Sequence, residues 1–142
     1  MDFDGRGFWS RDSLAEVWLY LLAEEAGRVV NPPAWLTNAR EDWKLQATGG
    51  FIGCVSPGLD KHLAPASDRA AVTLALSERV RHRLMQWRPA IPRAVANSFG
   101  AGGEQAYFTT DLDTAPLLAF ADAFMRLLRG ESPEEPDISL AK

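Results

Sequence analysis

A chain of 142 residues with 46% hydrophobic and 24% charged side chains has the size and composition of one globular domain, long enough to bury a core without covalent staples. Its one cysteine, Cys54, excludes an internal disulfide framework and a multi-cysteine zinc centre, and no apolar run approaches the length of a membrane span. The formal charge of −4 argues against general binding to nucleic acid or anionic membranes, whose fields repel a net acid.

Met1 to Arg6 lacks the basic-then-apolar order of a secretory signal, so a cytoplasmic location is expected. Residues 14–26 read as the first helix. Ser13 and Glu16 have capping-box spacing, Leu14, Val17, Trp18, Leu21 and Leu22 recur at helical intervals, and Gly27 supplies a stop. Asn31-Pro32-Pro33 punctuates the chain and opens a second helix over 33–47, with Trp35, Leu36, Ala39 and Trp43 as its stripe. Phe51 to Val55, which holds Cys54, is short and apolar and reads as a buried strand or extended segment. Ser56-Pro57-Gly58 then suits a type II turn.

Ser67 reads as the cap of the longest helix, 68–87, whose core stripe is Val72, Leu76, Val80, Leu84 and Trp87 and which Pro89 halts. A short helix is expected from Pro92 to Phe99, then a glycine-rich connector and an extended piece near Tyr107-Phe108-Thr109. Asp113 reads as the cap of a final helix, 114–129, with a broad apolar face of Leu117, Phe120, Phe124, Met125 and Leu128. The predicted fold class is therefore mainly all-α. Residues 1–130 form a single domain of four to five packed helices, with room for one short pair of strands, and 131–142 form an acidic, Pro-containing tail.

No motif carries chemistry. Cys54 and His62 are eight residues apart, outside zinc-ligand spacings, and Cys54 in its apolar run behaves as a small hydrophobe rather than a nucleophile. His82 lies opposite Val80 on its helix and should be solvated. Asp111 and Asp113 precede a helix, where carboxylates accept backbone N–H bonds, so capping is expected there rather than Mg²⁺ binding. The glycine clusters spell neither a dinucleotide fingerprint nor a phosphate loop. No metal, cofactor or catalytic residue is expected. Trp18, Trp35, Trp43 and Trp87 fall on helix stripes and read as core; Trp9 has no such place and reads as a lid or a contact.

Charge is unevenly spread. Residues 61–93 carry seven Lys/Arg against two Asp/Glu, whereas both flanking segments are acidic. This basic middle reads as the internal counter-charge of the two ends, with a local anion site as the rival reading. Polar residues also sit inside apolar stripes: Glu25 within 20° or so of the first stripe's axis, Gln46 near the centre of the second, and Arg83 beside Val80 and Leu84. Burying such groups unpaired costs about 1–3 kcal/mol each, so Glu25 is expected to pair with Arg83 within about 4 Å.

On one flank of the long helix Leu74, Arg81, Met85 and Arg88 align, a mixture common in protein interfaces. The expected function is thus a non-enzymatic protein-binding module: a regulator, adaptor or inhibitor, for instance resembling an immunity protein that blocks a basic toxin. In that form Glu104, Asp111 and Asp113 would meet the partner. The alternatives are self-association through the Leu74/Met85 flank and a small-molecule binder or enzyme with a pocket around Glu25, Gln46 and Arg83.

Overall fold

The computed structural model describes residues 1–63, 67–104 and 108–131; the Ser67 side chain, Tyr107 and the tail beyond Glu131 lie outside the described residues. The architecture is mainly α. Among the described residues six helices, α1 (Asp12–Gly27), α2 (Ala34–Thr48), α3 (Leu59–Leu63), α4 (Ser67–Trp87), α5 (Arg93–Ser98) and α6 (Thr114–Leu128), surround one core. Two antiparallel strand pairs accompany them, β1 (Asp2–Phe3) with β2 (Arg6–Gly7) and β3 (Ala90–Ile91) with β4 (Leu112–Asp113). No helix among the described residues is long and apolar enough to cross a membrane.

Helix α1 is the axis of the packing. Its Leu14-to-Ala26 stretch is apolar on nearly every side, and a helix of that kind is stable only when neighbours surround it. It packs along α2 and also touches α4 and α6, which pack on each other. Trp18 is fully buried against α6, its ring 5.7 Å from Phe120 and 5.2 Å from Phe124. Phe8 closes the same cluster edge-on to Phe120 at 5.3 Å.

The hairpin β1–β2 was legible but not predicted. Asp4 and Gly5 both take positive φ, 51° and 74°, the backbone of the two-residue turn that Asp-Gly favours. The second strand pair joins Ala90–Ile91 to Leu112–Asp113. Thr114 fastens it to Pro89, donating from both its backbone N–H (3.0 Å) and its hydroxyl (2.9 Å) to that carbonyl.

Four local expectations are corrected. The capping box of Ser13 and Glu16 does not form: α1 starts earlier, after Arg11, and Glu16 is only 8% exposed on the helix side. Asp113 occupies the N-cap position of α6 without a side-chain bond, while Asp111 accepts the Arg93 N–H at 2.9 Å and so caps α5 instead. Val72 is exposed and α4 turns Thr73 and Ser77 inward with Leu76, Val80 and Leu84. The two hydroxyls bond carbonyls one turn back, Thr73 to Arg69 at 2.9 Å and Ser77 to Thr73 at 2.8 Å, so they bury small volumes at no polar cost.

Phe51 to Val55 is the fourth correction. It is an outward turn, not a buried strand: Ile52 is 92% exposed and Cys54 is exposed. Gly53 takes φ +71°, which turns the chain away from the core. Beyond it, Trp43 holds the loop from inside, its indole N–H donating to the Pro57 carbonyl at 2.8 Å. Trp43→Phe removes the indole N–H and part of the ring's buried volume, leaves that buried carbonyl unpaired, and is expected to cost about 2–3 kcal/mol in urea unfolding. A loss below about 0.3 kcal/mol would show that the bond does not hold the loop.

Candidate functional site

The polar residues in the stripes resolve into one cluster and one outlier. Glu25, on the last turn of α1, is 3% exposed. Its Oε1 accepts from Arg28 at 2.9 Å and from Arg83 of α4 at 3.3 Å, so the expected Glu25–Arg83 pair is formed. Arg83 also donates to Glu24 at 2.9 Å and lies 5.4 Å over the Trp87 ring. Three interactions thus fix one guanidinium, which explains a buried carboxylate at the seam between the two helices.

Gln46 does not join this cluster. The antiparallel pairing of α1 and α2 sets Arg40 beside Gly27, where a Cβ would meet the guanidinium at 3.0 Å. Gln46 lies six residues, about 9 Å, further along α2. Its Oε1 accepts the Ser56 N–H at 3.0 Å, a contact of the outward loop.

The four residues of the α4 flank have different surroundings. Leu74 is half-buried against the core, and Arg81 bridges to Asp122 of α6 at 2.8 Å. Met85 and Arg88 are exposed, and Met85 faces Met125 across a groove of about 420 Å³ between the two helices. Half of this flank is therefore a contact inside the fold.

Two features escaped the sequence reading. The first is a pair made by α2 and α3: the buried ring of His62 places Nε2 2.7 Å from Asp42 Oδ2, and Lys61 reaches the same oxygen at 3.4 Å. The pair lines a groove of about 490 Å³ with Trp35, over which Arg69 lies at 5.4 Å. A carboxylate that orients an imidazole is half of an acid–base apparatus. No hydroxyl or thiol bonds the ring among the described residues, and Cys54 stands in the outward turn.

The second feature is an apolar tip. Trp9 is 82% exposed, just before α1, and Phe51 and Ile52 are exposed on the outward turn. Asp12 binds the two segments together, its Oδ2 accepting the Gly53 N–H at 2.6 Å. On the other side the connector after α5 closes in: Gly102 donates to the Ala47 carbonyl at 2.9 Å, and a Cβ on Gly50 would sit 3.3 Å from the Gly102 oxygen. That approach requires glycine and brings exposed Glu104 to the edge of the tip.

No family model matches the chain, and neither a curated protein nor a solved structure matches it. Function must therefore be argued from the geometry.

One carboxyl near the tip has an unusual proton affinity. Glu16, one turn after Asp12, is pushed up to about 7, first by burial and then by the Asp12 charge. Among the described residues no three His, Cys, Asp or Glu side chains converge as metal ligands would.

Proposed function

We propose that the chain is a protein-binding module, a regulator, adaptor or inhibitor, whose contact surface is the tip formed by Trp9, Phe51 and Ile52. One observation carries this reading: two large apolar side chains, Trp9 and Ile52, stand almost wholly in water on segments that Asp12 fastens together. Exposed apolar groups from separate loops, held in a fixed arrangement, meet a partner with little ordering cost. Trp is also the residue most often found to dominate binding energy at interface centres. Asp12 and Glu104 at the edge favour a partner whose apolar pocket has a basic rim, in keeping with the net acidity of the chain.

The surface is tested by affinity capture with the wild type, a Trp9→Ser/Ile52→Asp variant and an Arg81→Glu/Met85→Glu variant. A stoichiometric partner is expected to be lost by the first variant, retained by the second, and bound more weakly when salt is raised to about 0.5 M. Equal retention by both variants would remove the tip from the interface. Loss in the α4 variant alone would place the contact on the groove beside Met85.

A further inference from the structure

The basic middle of the chain is mostly neutralised inside the fold. Lys61 meets Asp42, Arg81 meets Asp122 and Arg83 meets Glu24 and Glu25. Arg69 donates to the His62 carbonyl and Arg93 to the Thr109 carbonyl. Arg79 and Arg88 are the two cations of this segment without a partner among the described residues.

Arg79 does not stand alone in space. With Arg28, Arg83 and His82 it lines a groove of about 490 Å³ between the end of α1 and α4. The two carboxylates in that groove are already engaged: Glu25 by Arg28 and Arg83, and Glu78 by Arg129 of α6 at 3.8 Å. Counted with the groups that engage them, four guanidiniums (Arg28, Arg79, Arg83 and Arg129) stand against three carboxylates (Glu24, Glu25 and Glu78), and Arg79 is the one left without a carboxylate among the described residues, a positive spot on an acidic chain. Buried Glu25 also orients Arg28, which uses Nη1 on it while its side chain stays 60% exposed. A guanidinium held by one edge presents its remaining N–H donors in a fixed plane, the geometry that recognises phosphate oxygens.

We propose that this groove binds a phosphate dianion, free or as a small phosphomonoester, through Arg28 and Arg79, with Arg83 and Glu25 as the rigid support. The site is separate from the apolar tip and does not depend on it.

The test is a chemical-shift titration of the full chain at pH 7 and low salt, with inorganic phosphate and with phenyl phosphate. Saturable shifts confined to residues 25–28 and 75–83 are expected, with a Kd below about 5 mM. Arg79→Gln, a change at an exposed side chain, should weaken binding about tenfold, and Arg88→Gln, which removes an equally unpaired cation outside the groove, should leave it within about twofold. Tighter binding of phenyl phosphate identifies an ester as the ligand, and equal binding identifies free phosphate. Shifts that do not saturate, that spread over the surface, or that respond equally to the two variants would overturn the site.

Discussion

Arg83→Met is expected to destabilise the fold by about 2–3 kcal/mol, the largest effect of any single polar substitution considered. The mutation removes a guanidinium that reaches Glu25 at 3.3 Å, Glu24 at 2.9 Å and the face of Trp87 at 5.4 Å. Breaking one side of a buried ion pair costs about 3–5 kcal/mol, because the remaining charge stays in a place that water cannot reach. Arg28 still holds Glu25 at 2.9 Å, which brings the figure to the bottom of that range or just below it. Adding Glu25→Gln to Arg83→Met should recover part of the loss, since a neutral amide is cheaper to leave half-bonded than a carboxylate. Urea unfolding of the two single variants and the double variant closes the cycle, with an unchanged m value as the sign that only stability moved. A cost for Arg83→Met below about 0.5 kcal/mol would show that the cluster is solvated rather than structural.

The second large effect depends on pH. Glu16 has a folded-state pKa of about 7 against an ordinary 4.5, caused first by burial and second by the neighbouring Asp12 carboxylate. The folded chain therefore holds this proton more tightly than the unfolded chain. The associated stability is present in full below about pH 4.5 and is lost as the pH rises through 7. A shift of this size corresponds to about 3 kcal/mol at 1.36 kcal/mol per unit, and residual hydration of the carboxylate lowers it to about 2 kcal/mol. Glu16→Gln keeps the shape and removes the charge. It should match the wild type near pH 4.5 and be more stable by about 2 kcal/mol at pH 8. Unfolding free energies of both proteins at pH 4.5, 6 and 8 provide the measurement. Parallel pH profiles would mean that Glu16 ionises as freely in the fold as out of it.

Several parts of this structure can be read directly from residue order. Helical periodicity placed α1, α2, α4 and α6 within a few residues of their ends, because an apolar stripe at 3.6-residue intervals has few other ways to leave water. The same arithmetic found Glu25 and Arg83. A carboxylate among Leu14, Trp18 and Leu22 must face what the stripe faces, and an arginine beside Val80 and Leu84 supplies the countercharge. Gln46 failed the same argument because its amide is close enough to a loop to bond the Ser56 N–H, an outcome that depends on chain geometry and not on helical phase.

What residue order determines here is a helical domain with a buried carboxylate seam, since both follow from periodicity and from the cost of unpaired charge. Which apolar groups remain in water was decided by tertiary packing. Phe51 to Val55 has a core-like composition, yet Gly53 and the Asp12 carboxylate turn it outward at the start of α1. Thr73 and Ser77 enter the core in place of Val72 because they share the helical face of Val80 and Leu84 and their hydroxyls bond carbonyls one turn back, whereas Val72 lies on the flank. His62 and Asp42 are twenty residues apart and meet because α3 folds back on α2, and the groove of Arg28, Arg79 and Arg83 exists because the end of α1 lies against α4. Contacts between distant segments depend on how whole helices pack, and periodicity within a single helix carries no information about that.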